Sequence, residues 1–183
     1  MPLVLLALVH CTSVGEGVVR WGVTDCPSDP DSGACAAQAS RVANTASPAP
    51  RPDATVLQCR AQLTGPTFDR RVALTFSARD RGGSTLTLEG SAAGAWIAPV
   101  AVGDEIPECR ITVVEAGETL VGRCGAGCTA RVTAVDEGSS TISGRIRCDL
   151  PSMQRALRVW RLRNAEGVPG DGADFAVAHC AGP

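Results

Sequence analysis

The chain contains no lysine and no tyrosine, and it has only two histidines in 183 residues. Each shortage closes off a kind of chemistry. Without lysine there is no Schiff-base nucleophile and no P-loop, whose lysine reaches the nucleotide phosphates. A serine or cysteine nucleophile usually hands its proton to histidine. Here the candidates are His10, within an apolar N-terminal run, and His179, next to Cys180. Neighbouring strand residues point to opposite faces, so His179 and Cys180 do not make a dyad. No catalytic residue is assigned, and no cofactor is expected. Three Trp and three Phe leave few platforms for stacking on sugars, and Phe76 and Trp160 read as core. A dominant charge is missing too: 17 basic residues, all of them Arg, stand against 19 acids for a net charge of −2. That balance gives no global field for nucleic acid. Abundant Ala, Gly and Pro with no Lys is the composition that a GC-rich genome imposes.

Cysteine is plentiful, nine in all. Such a set suggests metal or redox chemistry in a cytosolic protein and disulfides in an exported one. The N-terminus decides between them. Leu3 to Val9 is an apolar run too short to cross a bilayer as a helix, and it suits the hydrophobic part of a signal peptide. The run ends in Leu8-Val9-His10-Cys11, which resembles the lipobox of bacterial lipoproteins, although His10 stands where that family carries Gly, Ala or Ser and no basic segment precedes the run. The resemblance implies that residues 1–10 are a signal peptide and that Cys11 is lipidated. It also implies that the protein is exported to the cell envelope. Thr12 is similar to the pattern that sorts lipoproteins to the outer membrane, facing the periplasm or the surface. Removing Cys11 from the nine leaves an even set: Cys26, Cys35, Cys59, Cys109, Cys124, Cys128, Cys148 and Cys180.

Residues 11–54 read as a lipid-anchored, disordered tether rich in Pro, Ala and Ser, with Pro48, Pro50 and Pro52 favouring extended backbone. Within it Cys26 and Cys35 bracket a turn-rich loop and are expected to pair. Asp29 and Asp31 there faintly resemble a calcium loop but lack its distal Glu. From residue 55 the pattern has period two. Leu57, Cys59, Ala61 and Leu63 share one strand face, as do Val72, Leu74, Phe76 and Ala78, and Arg79-Asp-Arg-Gly-Gly83 signals a turn. Alternation recurs at 85–88, 109–114, 119–124, 128–135, 140–148, 157–163 and 174–180, with a weak helical pattern at 151–158. Roughly nine short strands at this spacing predict an all-β fold, an antiparallel β-sandwich of immunoglobulin-like or jelly-roll-like kind over residues 55–183.

Two hairpins set registers. A two-residue turn at Ala116-Gly117 places Glu115 opposite Glu118, Val113 opposite Leu120, Ile111 opposite Gly122 and Cys109 opposite Cys124. A turn around Glu137-Gly138-Ser139 places Ala134 opposite Ile142, Val132 opposite Gly144, Ala130 opposite Ile146 and Cys128 opposite Cys148. The expected disulfides are therefore 109–124, 128–148 and 26–35, leaving 59–180 to join the first and last strands of the sandwich. Zinc on Cys124, Cys128 and Cys148 is the weaker reading, because each thiol already has a partner.

Arg145, Arg147, Arg155, Arg158, Arg161 and Arg163 cluster near the C-terminus. Alternation turns Arg145, Arg147, Arg161 and Arg163 outward, where they form either a solvated face balanced by acids or a contact for anionic glycan, lipid or lipopolysaccharide. The acid pairs Asp104-Glu105, Asp136-Glu137 and Asp171/Asp174 fall in turns or loops. The sequence thus predicts a non-catalytic envelope lipoprotein whose sandwich binds an envelope glycan, lipid or protein or serves a structural role. Its alternatives are a secreted hydrolase using loop carboxylates and a soluble inhibitor or adhesion module.

Overall fold

A computed structural model describes residues 16–27, 35–44, 56–151, 158–163 and 172–182. Twelve strands follow one another: β1 (Glu16–Pro27), β2 (Ala36–Asn44), β3 (Val56–Thr64), β4 (Arg71–Arg79), β5 (Thr85–Glu89), β6 (Val100–Ala101), β7 (Arg110–Glu115), β8 (Glu118–Cys124), β9 (Gly127–Asp136), β10 (Thr141–Pro151), β11 (Arg158–Arg163) and β12 (Ala173–Ala178). The one helical element among the described residues is a 3-10 turn, Thr67–Asp69. The fold is all-β, as the period-two alternation requires. Most of the weak helical pattern at 151–158 lies outside the described residues; Pro151 closes β10 and Arg158 opens β11.

The strands join in one hydrogen-bonded order, β11-β1-β12-β10-β9-β8-β7-β5-β4-β3, with β2 added to β1 and β6 to β4, and β11 bonds β10 as well. Among the described residues the strand pairings are antiparallel except a two-residue parallel step between β8 and β9, at Arg123↔Gly127 and Cys124↔Cys128, and an isolated parallel bridge joins Arg60 to Ala181. No immunoglobulin-like or jelly-roll order is assigned to this arrangement. The sheet curls over on itself. In the strand order β4 lies six places from β12, roughly 29 Å in a flat sheet at normal strand spacing. Yet the rings of Phe76 on β4 and Phe175 on β12 have centroids 5.1 Å apart. One core cluster takes residues from both ends of the order, including Trp21, Leu74, Leu88, Ile111, Ile146 and Trp160.

The expected tether over residues 11–54 is corrected by β1 and β2. Val19, Trp21 and Val23 repeat at every second residue and are all 0% exposed. A tryptophan and two valines buried this completely contribute several kcal/mol, on the order of 1.5–3 per large side chain. β1 is an interior strand, bonded to β2 on one edge and to β12 and then β11 on the other. The domain therefore begins at or before Glu16. Residues 1–10 and Cys11, expected to be signal peptide and lipid anchor, lie outside the described residues, as do 45–55.

The cysteines pair as 26–35, 59–180, 109–124 and 128–148, with Cα separations of 4.2, 4.8, 4.9 and 4.0 Å. In the loop-entropy picture the 59–180 bridge, spanning 121 residues, stabilises by about 5 kcal/mol, against about 2.5 for the short 26–35 loop. Cys59–Cys180 also covers an edge. The Ala61 N–H donates to Ala181 O at 2.9 Å and the Ala181 N–H to Cys59 O at 3.0 Å, so the C-terminal residues occupy part of the outer edge of β3.

The β7–β8 register is the predicted one from Glu115↔Glu118 to Ile111↔Gly122. Ala116 and Gly117 both have positive φ, 51° and 81°, as a type I′ turn demands. The β9–β10 register holds from Cys128↔Cys148 to Val132↔Gly144 and then slips, so that Val135, not Ala134, faces Ile142. The cause is a β-bulge at Thr133. Val132 is fully buried and Val135 packs on the same core, yet residues three apart in a regular strand face opposite sides. One extra residue turns both inward.

Candidate functional site

The outward residues of β9 and β10 form the floor of an open groove of about 300 Å³, lined by Glu105, Thr129, Arg131, Thr133, Gly144, Arg145, Arg147 and Asp174. Its chemistry follows from register. Arg145 stands directly opposite Arg131, and Arg147 opposite Thr129. Like charges directly across a strand pair repel, and each of the facing arginines has an acid beside it. Arg145 Nε donates to Asp174 Oδ1 at 2.8 Å, and Arg131 Nη2 donates to Glu105 Oε1 at 3.1 Å. Glu105 is delivered by the chain after β6, which runs along β9: the Gly103 N–H donates to Val132 O and the Ile106 N–H to Ala130 O, both at 2.8 Å. Arg147 has no ion-pair partner among the described residues. Among the described lining residues three arginines stand against two carboxylates, one net positive charge.

Of the four arginines singled out from the sequence, the structure brings Arg145 and Arg147 together. Arg161 belongs elsewhere: it lies opposite Asp149 and pairs with it at 3.4 Å, as a solvated ion pair. Arg163 sits at the end of β11 opposite Gly22, and its side chain lies outside the described residues. Arg131 and Thr129 were missed, and Glu105 was read only as a loop acid. Arg131 was within reach, because the hairpin register that joins Cys128 to Cys148 also sets Arg131 against Arg145.

Four of the loop acids, Glu105, Asp136, Glu137 and Asp174, have structural occupations, and Asp171 lies outside the described residues. Glu105 holds Arg131. Asp136 accepts from Ser139 Oγ at 2.8 Å and from the Gly138 N–H at 2.9 Å. These bonds, the serine's first, hold its carboxyl below the ordinary range. Glu137 pairs with Arg70. His179 lies 3.7 Å from Glu16 across two exposed side chains. Cys124, Cys128 and Cys148 are all in disulfides, and no group of three His, Cys, Asp or Glu side chains among the described residues is placed to hold a metal.

A second charged cluster, with both acids buried and its arginine partly exposed, links distant strands. Arg41 of β2 donates through Nη2 to Glu115 Oε1 at 2.5 Å and through Nε to Oε2 at 3.3 Å, and Asp80 Oδ2 lies 3.7 Å from Nε. The hydrogen bond to Glu115 is the main reason that the Arg41 guanidinium is held above its ordinary range. Compared with known proteins, the chain matches no family model, no curated protein and no solved structure. Four disulfides point to an oxidising, extracytoplasmic compartment. No helix among the described residues is long and apolar enough to cross a membrane.

Proposed function

We propose that this chain is a non-catalytic cell-envelope protein, held at a membrane by a lipid on Cys11, whose β-domain binds an anionic group of an envelope glycan or lipid. The lipobox-like Leu8-Val9-His10-Cys11 and the even set of eight bridged cysteines support export and anchoring. The binding reading is carried by one observation: Arg147 lies beside the cross-strand Arg131–Arg145 pair with no carboxylate of its own among the described residues. A phosphate or carboxylate placed there meets three guanidinium groups, two of which exchange part of an existing ion pair for it. Outer-membrane placement follows the Thr12 pattern.

The test has two arms. Protein with native disulfides is passed over immobilised lipopolysaccharide and over a neutral glycan while salt is raised. Retention on lipopolysaccharide alone, falling steeply with salt and about tenfold weaker in Arg147→Gln, is expected. Inorganic phosphate competing for the same retention identifies the phosphate as the recognised group. Salt-insensitive retention, or an Arg147→Gln protein retained as well as the parent, overturns the binding reading. Mass spectrometry of membrane-derived protein is expected to show acylated Cys11 as the mature N-terminus, and an unmodified N-terminus overturns the anchor.

A further inference from the structure

Phe68 is 91% exposed, at the centre of the 3-10 turn that joins β3 to β4. An aromatic ring this open is free to serve as an anchor at a protein interface. It borders a groove of about 470 Å³ that runs between its own turn and the β9–β10 turn, with Val102 and Val135 supplying apolar wall and Asp69, Asp136 and Glu137 acidic rim.

The groove is held open by the protein's own bonds. Arg70 donates through Nη1 to Gly65 O at 2.6 Å and through Nε to Glu137 Oε1 at 3.0 Å, tying one wall to the other. The Val102 N–H donates to Arg70 O at 3.3 Å, and the Asp69 N–H donates to Pro66 O at 3.0 Å within the turn. Asp136 braces the opposite wall through Ser139 and Gly138. A surface fixed before binding loses little freedom on binding.

We infer that this groove is a docking surface for a cationic, apolar segment of another protein, with Phe68 as the aromatic anchor and the acidic rim receiving Arg or Lys. Charge complementarity selects that occupant. Among the described residues the lining carries three carboxylates and Arg70, and Arg71 stands 3.9 Å from Asp69 at the rim; the balance is a net −1, which disfavours anionic lipid headgroups and nucleic acid. A guanidinium or ammonium over the Phe68 ring also gains cation–π attraction. A second copy of this chain would have to bring a different face, such as its arginine groove, and such heterologous contacts generate rings or open filaments. The site is separate from the Arg131–Arg145–Arg147 groove, so either reading stands if the other fails.

The probe is a short synthetic peptide of alternating Arg and Leu or Trp, labelled for anisotropy, with two controls: Glu in place of Arg, and Ser in place of the apolar residues. Amide shifts on the full chain locate the contact. The Arg–apolar peptide is expected to bind and to shift the amides of Phe68, Val102 and Val135, while both controls fail. Phe68→Ala is expected to weaken it about tenfold or more, and Asp69→Asn by a smaller factor that vanishes at high salt. Both positions are exposed, and unchanged circular dichroism and melting temperature confirm an intact fold. The inference is overturned if those amides do not move, if Phe68→Ala binds as the parent does, or if the Ser control binds equally well. It is also overturned if Phe68 instead governs adsorption to phosphatidylglycerol vesicles or self-association in sedimentation without peptide binding.

Discussion

Replacing Arg41 by methionine tests how the curled sheet is closed. The substitution keeps the aliphatic stem and removes only the charge and its donors. β2 and β7 lie six places apart in the strand order, so the Arg41–Glu115 bond is a contact that a flat sheet does not permit. Glu115 is 1% exposed and Arg41 25%. At an effective dielectric constant near 20, unit charges 3–4 Å apart attract by roughly 4–5 kcal/mol, before desolvation is subtracted. Taking away one partner of a buried pair costs about 3–5 kcal/mol, because the other charge is left stranded. Arg41 is already partly hydrated, so the lower end applies, about 3 kcal/mol. That is a large share of the 5–15 kcal/mol typical of a domain. At this chain length it corresponds to a fall in melting temperature of roughly 6–12 °C. The reverse change is milder. Glu115→Gln leaves Arg41 with Asp80 and solvent, and it removes one of two glutamates that directly face each other across β7 and β8; about 1 kcal/mol is expected. Urea unfolding with disulfides intact, followed by the fluorescence of buried Trp21 and Trp160, measures both. An Arg41→Met protein within 0.5 kcal/mol of the parent, taking roughly that figure as the limit for a neutral surface change, refutes the closure argument. So does a Glu115→Gln cost as large as that of Arg41→Met.

Two further outcomes follow from the turns. Ala116 holds φ at 51°, and an L-residue with a Cβ loses about 1–2 kcal/mol in that region. Ala116→Asn suits the type I′ turn and is expected to stabilise by about 0.5–1 kcal/mol, read as a rise in the urea midpoint at constant slope; a lower midpoint sinks the assignment. Asp136 titrates below the ordinary value of 3.8 because Ser139 and Gly138 bond its ionised form. A carboxyl depressed on folding contributes fully above its unfolded value and loses that contribution as pH falls through the folded one. The Gly138 amide shift should therefore titrate with its midpoint below the ordinary carboxylate value. A carboxyl midpoint at or above the ordinary value contradicts this reading of the turn.

How far these features were legible depended on whether a residue's neighbours were local. Hairpin partners are close in sequence, so the Ala116-Gly117 turn and the cysteine spacing sufficed for the pairs 109–124 and 128–148. What failed was β1. Val19, Trp21 and Val23 alternate as clearly as any later strand, but Cys26–Cys35 and the Pro-rich stretch after it made the region read as a linker. Two of its partners, β11 and β12, lie more than a hundred residues downstream, and the third, β2, is local but too rich in Ala and Ser to show a clear apolar alternation. The same holds for Arg41, whose meaning depends on Glu115, 74 residues away. Outward Arg residues were correctly expected on β10, but period two alone does not say which of them meets an acid. That depends on lateral neighbours: Asp174 for Arg145, Asp149 for Arg161.

β9 shows how one local irregularity serves fold and surface together. Up to Thr133 its outward residues, Thr129, Arg131 and Thr133, face the arginine groove. Beyond the bulge, Val135 and Asp136 line the groove beside Phe68. Without the extra residue the alternation continues unbroken: Ala134 turns inward and Val135 outward, with no core to pack on. The bulge keeps Val132 and Val135 on one core and moves the following turn, which carries Asp136 and Glu137, into line with Arg70. The chain running beside β9 spans the same two regions, since Val102 belongs to the Phe68 groove and Glu105 to the arginine groove. The two grooves are therefore neighbours along one strand pair, one with net positive and the other with net negative lining. An anionic ligand bound at Arg147 and a cationic segment docked at Phe68 would each meet a surface of complementary charge, and neither would be drawn to the other's groove.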